Sequence, residues 1–212
     1  MTDHQFFPGR VETRRLRLEP LTAGSVREYY RVRSGQAGDD VDLTTRYVPW
    51  DPHEHPKETL AFLERIDERR ESGETADDLV RSREGEDGAG EFAGAVGLTP
   101  DWDCHSGELG AWLCGRFWDG GYAGEAWRVL TRLAFERLDL ELVVARARAD
   151  NDPSNRALEK FVEDPGGRRE GPIRNGWRSS VDDRPYDEAR YSVHRAEWRA
   201  VTEDRSYSKF TV

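Results

Sequence analysis

FWDGGYAGEA, residues 117–126, places three glycines, Gly120, Gly121 and Gly124, within five positions directly ahead of a segment with helical periodicity. Glycine lets a backbone come close to a ligand, and a helix N-terminus offers four unpaired N–H groups and about half a unit of positive charge. The stretch therefore reads as an anion cradle. The competing reading, an ordinary glycine-rich turn between strand and helix, has to be weighed against the rest of the chain. No Lys follows the glycines and G-x-G-x-x-G is absent, so nucleotide hydrolysis loses support.

Working outward, GELGAWLCG (107–115) before the turn reads as a strand, and the helix after it is expected from about Gly124 to Leu138. That helix puts Trp127, Leu130, Ala134 and Leu138 on one packing face. Glu125 in its first turn suits the helix dipole. ELVVARARA (141–149) is a further strand, followed by NDPSNRALEKF, where Asn151 or Asp152 caps a helix and Pro153 suits its start. Upstream, ETRRLRLEPL (12–21) alternates around Leu16 and Leu18 and meets Pro20 at a turn. Thr22 then starts a helix bearing Val26, Tyr29, Tyr30 and Val32, and HPKETLAFLERIDERRES carries Leu60, Leu63 and Ile66 at helical spacing. The acidic, glycine-rich stretch 73–91 contains LVRSRE, a short exposed strand that turns at GEDG into FAGAVGLTPDW. Two closing strands are expected near Gly171–Trp177 and Ala189–Arg195. The order is mixed α/β with a largely antiparallel sheet.

The chain of 212 residues suits one domain spanning 1–212. Apolar residues make up 36%, but seven Trp, seven Tyr and eight Phe argue for a packed core. No apolar run approaches the roughly 18 residues of a membrane span, and MTDHQFFPGR lacks the layout of a signal peptide, so a cytoplasmic protein is expected with no membrane partner. The net charge is −10, with Lys57, Lys160 and Lys209 the only lysines, which sets nucleic acid aside as a partner. The acidity either attracts a cationic substrate or forms a hydrated, halophilic-type surface; the even spread of acids favours the second. Cys104 and Cys114 are expected as free thiols. His53, His55, Cys104 and His105 match no common zinc spacing, so no metal is expected. Cys114 is read as a packed strand residue rather than a nucleophile.

WDGGYAGEA resembles the W-x-x-G-Y-A-x-E-A form of the acetyl-CoA pyrophosphate loop of GNAT N-acetyltransferases, and NDPSNRALEKF resembles their N-x-x-S-x-x-x-x-E-K segment. ETRRLRLEPLT, GELGAWL and RYSVHRAEW are similar to pieces of the RimJ/RimL subfamily in the same order, over about residues 10–200. The resemblance implies a GNAT acyl-CoA N-acyltransferase fold, a mixed, mostly antiparallel sheet of about seven strands with about four helices. It implies acetyl-CoA as co-substrate, with the pyrophosphate at Asp119, Gly120, Gly121, Tyr122, Ala123 and Gly124. It also implies a strand that splays from its neighbour, its backbone at Leu113 and Cys114 meeting the pantetheine and polarising the thioester carbonyl. Asp119 and Gly120 depart from the neutral or basic residues common at their positions, which leaves the phosphates to backbone N–H groups.

Strand alternation sets Glu108, Gly110 and Trp112 on one face, and Leu109, Ala111 and Leu113 on the other. Glu108 is read as general base through water, with a solvated strand charge as the plain alternative. Ser154, by resemblance near the CoA sulfur, is the candidate proton donor to the thiolate, unless it is simply a first-turn helix residue. Asn151 is assigned to the pantetheine arm, to the helix cap, or to both. Glu170 resembles a family position in the next strand, but EDPGG intervenes and it is left out of the set. An α-amine, with a pKa of about 7.7–8.0, is partly neutral near pH 7, whereas a Lys amine near 10.4 is almost wholly charged. A weakly placed base thus suits a protein N-terminal α-amine as acceptor, by direct ternary-complex transfer, in a monomer or homodimer. The alternatives are an acyltransferase acting on a small-molecule amine and a non-catalytic acyl-CoA-binding protein.

Overall fold

The computed structural model describes residues 6–36, 46–48, 50–179 and 182–204. Its elements run β1 (Val11–Glu12), β2 (Leu16–Pro20), α1 (Val26–Arg33), α2 (Pro56–Glu71), β3 (Ala76–Ser82), β4 (Phe92–Asp101), β5 (Ser106–Leu113), α3 (Tyr122–Glu136), β6 (Leu142–Arg148), α4 (Asp152–Glu163), β7 (Arg168–Arg178), β8 (Pro185–His194) and α5 (Arg195–Asp204). The strands form one eight-stranded sheet in the order β1-β2-β3-β4-β5-β6-β8-β7. Neighbours are antiparallel except β5 and β6. This is the mixed α/β architecture expected, with one strand and one helix more than the resemblance implied, among the described residues.

Helix starts follow local chemistry. Ser25 Oγ accepts from Glu28 N at 3.1 Å, so α1 begins at Val26, and Thr22 lies instead in a short 3-10 turn, Leu21–Ala23. His55 caps α2 ahead of Pro56, and Asn151 caps α4. α3 begins two residues before the expected Gly124. Three expectations needed correction. Leu60 is 44% exposed, because the buried stripe of α2 is Thr59, Leu63 and Ile66. β3 is mostly buried, not an exposed strand, because it lies between β2 and β4 and its Asp78 is paired inside with Arg70 Nη1 at 2.9 Å. The strand expected near Ala189–Arg195 runs from Pro185 to His194, and Arg195 opens α5 instead. Leu138 is buried as expected but lies beyond the helix end.

α3 packs on β2, β4, β5 and β6, while α4 packs on α3 and on β6, β7 and β8. No described helix is long and apolar enough to cross a membrane. Cys104 is exposed and Cys114 buried, and the two are not joined in a disulfide.

Candidate active site

The parallel ladder between β5 and β6 runs from Ser106↔Leu142 to Leu109↔Ala145 and stops there. Both strands continue. β5 stays on β4 as far as Leu113↔Gly94, and β6 stays on β8 as far as Arg148↔Glu188. A wedge therefore opens in mid-sheet between Gly110–Leu113 and Arg146–Arg148. Ala111 is exposed although it lies in the middle of an eight-stranded sheet, and a Cβ on Gly110 would meet nothing within 4 Å. Gly94 lets β5 hold to β4 here: a Cβ at that position would lie 2.1 Å from Trp112 O.

Cys114 N–H donates to Ala93 O at 2.9 Å, on the β4 side. Alternation then turns the N–H groups of Leu113 and Ala111 toward the wedge. Of the pair expected at the pantetheine, Leu113 faces the opening while the Cys114 N–H is already occupied. Ala111 joins Leu113, which sequence alone did not suggest. Trp118 Nε1 donates to Leu113 O at 2.8 Å, and Trp127 Nε1 to Gly110 O at 3.3 Å, so the glycine turn and α3 are tied directly to this stretch of β5.

The turn itself ends on Gly121, the N-cap of α3, with φ of +74° and no side-chain cap. α1, α2 and α4 each have a side chain accepting from the first turn. The first intrahelical bond of α3 is Glu125 N to Gly121 O, so the N–H groups of Tyr122, Ala123 and Gly124 precede it and point out of the helix. Asp119, with φ of +58°, Gly120 and Gly121 are exposed around them. Two cations flank the turn: a Cβ on Gly121 would lie 3.7 Å from Arg15 Nη2, and one on Gly124 3.7 Å from Arg128 Nη1. An anion thus fits the turn, through backbone donors first and guanidinium groups second.

Arg15 arrives from the β1–β2 turn, 105 residues from Gly120 in sequence, and its Nη1 donates to Gly120 O at 2.8 Å. Its Nε reaches Glu125 Oε2 at 2.6 Å, and Thr13 Oγ1 donates to Glu125 Oε1 at 2.5 Å. Burial would push the Glu125 carboxyl up, but these bonds hold it below its usual range. Glu125, read as a dipole partner, is thus also the anchor of the turn.

Across the wedge, Asn151 Oδ1 accepts from Ser154 N at 3.3 Å, which confirms the capping geometry and puts Ser154, half-buried, in the first turn of α4. Asn155 fixes that turn. Its amide donates to Arg148 O and Asn151 O, both at 2.9 Å, and its Oδ1 accepts from the buried Tyr191 hydroxyl at 3.0 Å. Nothing in the sequence singled out Asn155, because two of its partners, Arg148 and Tyr191, lie on β6 and β8.

Glu108 is half-exposed at the base of the wedge, with Oε2 3.4 Å from Arg146 Nη2. It lies on the opposite sheet face from α4: Tyr191, which bonds α4, is the register partner of Ala145, and side chains alternate between Ala145 and Arg146. Glu108 and Ser154 are therefore on opposite sides of the wedge. Trp112 packs edge-on against Trp50, centroids 5.5 Å apart, walling the Glu108 face. Glu170 Oε2 lies 2.8 Å from Arg190 Nε on β8.

The family profile described as Acetyltransferase (GNAT) domain matches residues 15–161. A comparison with curated proteins gave no match. Among solved structures, an acetyltransferase from T. thermophilus is 28% identical, with 95% of this chain and 98% of that one covered and a TM-score of 0.70. Mycobacterium smegmatis RimJ in complex with CoA-disulfide is 17% identical, covering 98% and 100%, with a TM-score of 0.73. The microcin C7 self-immunity acetyltransferase MccE in complex with acetyl-CoA and AMP is 16% identical, covering 91% and 99%, with a TM-score of 0.74. With the matched segment running from the β1–β2 turn through α4, the chain belongs to the GNAT acetyltransferase family.

Proposed function

We propose that the protein transfers the acetyl group of acetyl-CoA to a primary amine, a protein N-terminal α-amine before others, directly within a ternary complex. The observation that carries this reading is the parting of β5 from β6 after Leu109 and Ala145, beside a helix N-terminus without a side-chain cap. In this reading the 119–124 turn holds the pyrophosphate on the N–H groups of Tyr122, Ala123 and Gly124. The N–H groups of Ala111 and Leu113 run along the pantetheine arm, with Leu113 placed to stabilise the developing oxyanion. The new N–C bond forms as the C–S bond breaks. The amine proton passes through water to Glu108, and the Ser154 hydroxyl gives its proton to the departing thiolate.

Glu108 is half-exposed and lies beside the Arg146 guanidinium. An α-amine, already partly neutral near pH 7, makes only a small demand on the base. The protein is to be screened with acetyl-CoA against peptides bearing free N-terminal amines and against amino acids and polyamines, with thiol release as the readout. Peptide-dependent release is expected. Glu108→Gln then lowers kcat/KM about 100-fold, less at high pH, and Ser154→Ala lowers kcat with acetyl-CoA binding retained. Release with small amines alone moves the acceptor to that class. Binding of acetyl-CoA with no amine-dependent release makes the protein a non-catalytic acyl-CoA binder.

A further inference from the structure

On the sheet face that carries Glu108, β8 buries a second carboxylate. The Glu188 side chain is 3% exposed, and Gly176 of the irregular β7 stretch crosses it so closely that a Cβ there would lie 2.6 Å from Glu188 Cγ. A buried charge is costly unless paired, and a buried ion pair is in itself weak ground for stability. The partner is Arg146. Its Nη1 lies 3.6 Å from Glu188 Oε1 while its Nη2 lies 3.4 Å from Glu108 Oε2. One guanidinium thus bridges β5 and β8 from the first β6 residue beyond the end of the β5–β6 ladder. Burial pushes the Glu188 carboxyl up, Arg146 opposes this and Glu108 adds to it. Arg190, the other cation facing Glu188, pairs with Glu170, and Arg148, its register partner on β6, pairs with Asp150. Arg146 is therefore the link between Glu188 and the wedge.

We propose that Glu188 is a positioning residue for acyl transfer: it holds Arg146 between itself and Glu108, dividing one positive charge between two carboxylates so that Glu108 remains available to the incoming amine. This rests on the reading of Glu108 as base. Two carboxylates about one guanidinium leave a net charge of −1, which attracts an ammonium group. With a neutral side chain at position 188, Arg146 serves Glu108 alone. It then favours the charged carboxylate more strongly and makes it a poorer proton acceptor.

Glu188→Gln keeps the volume and removes the charge; Glu188→Asp keeps the charge. With acetyl-CoA and a short peptide bearing a free N-terminal amine, Glu188→Gln is expected to move the acid limb of the pH–rate profile to lower pH. It should also lower kcat/KM about fivefold, the scale of coupling between contacting groups. Glu188→Asp restores the limb, and Glu188→Gln adds nothing in a Glu108→Gln background. Independently of turnover, carbon-13 NMR of labelled glutamate side chains should show Glu188 titrating at lower pH in Glu108→Gln and at higher pH in Arg146→Gln. Titrations of Glu188 that move in neither variant overturn the proposal. If Glu108→Gln slows transfer but Glu188→Gln leaves the acid limb in place, the positioning role alone falls. If Glu108→Gln leaves the rate unchanged while the titrations move, the fault lies with Glu108 as base, and the role of Glu188 falls with it.

Discussion

Gly121 and Gly124 share a turn but are glycines for different reasons. Gly121 has φ of +74°, where any side chain is strained, so Gly121→Val would test the backbone as much as the ligand. Gly124 lies inside the first turn of α3, and a Cβ there meets only Arg128 Nη1 at an ordinary 3.7 Å. Valine has no worse helix propensity than glycine, so Gly124→Val should fold normally while its branched side chain fills the space above the free N–H groups. Acetyl-CoA affinity should fall about tenfold or more, a loss of about 1.4 kcal/mol. Calorimetry giving wild-type affinity for this variant would take the phosphate away from the turn. The glycines and the helix after them were plain in the sequence. Their anchoring was not: Thr13 and Arg15 reach Glu125 across more than a hundred residues, and a hydrogen bond at that separation leaves no local pattern.

At the scale of elements, periodicity placed β5, α4 and the buried face of α3 well, because each depends on spacing along its own residues. Capping chemistry located the start of α4 at Asn151. What failed to show was relational. LVRSRE reads as a short exposed strand, yet β3 is interior, with Asp78 finding Arg70 only in the folded sheet. The carboxylate of Glu188 is likewise buried by β7 passing over it. The parting of β5 from β6 was expected from family resemblance; its position after Leu109 is set by where pairing ends, which no single strand encodes. Gly94 is the residue on which that geometry turns, with φ of +152° and main chain at contact distance. Gly94→Ala must displace either β4 or the end of β5, so a loss of about 3 kcal/mol or more is expected. In a chain of this length that corresponds to about 6–12 °C in Tm, measurable by calorimetry. A Tm within a degree of the wild type would mean the two strands give way freely at Trp112.

For the molecule as a whole, 42 acidic against 32 basic side chains leave a net −10. Many of the arginines are engaged in ion pairs, such as Arg81 with Glu28 and Arg128 with Asp164, so the excess acids are left to repel one another. Raising salt from about 0.1 M to about 1 M shortens the screening length from about 10 Å to about 3 Å. That weakens exposed pairs, each worth little, and the summed repulsion as well. Tm should therefore rise with KCl toward molar concentration; a flat or falling Tm would show that the acids are not a collective burden and return attention to a cationic acceptor. The sheet has a mechanical character too. Among the described residues, four register pairs, Ser106–Leu109 against Leu142–Ala145, with the bonds of Glu141 N–H and Leu142 N–H to His105 O, form the strand seam between the β1–β5 plate and the β6–β8–β7 plate. Under load this short parallel seam is expected to yield before the longer antiparallel ladders, so a co-substrate seated in the opening as proposed would act as a splint between the two plates.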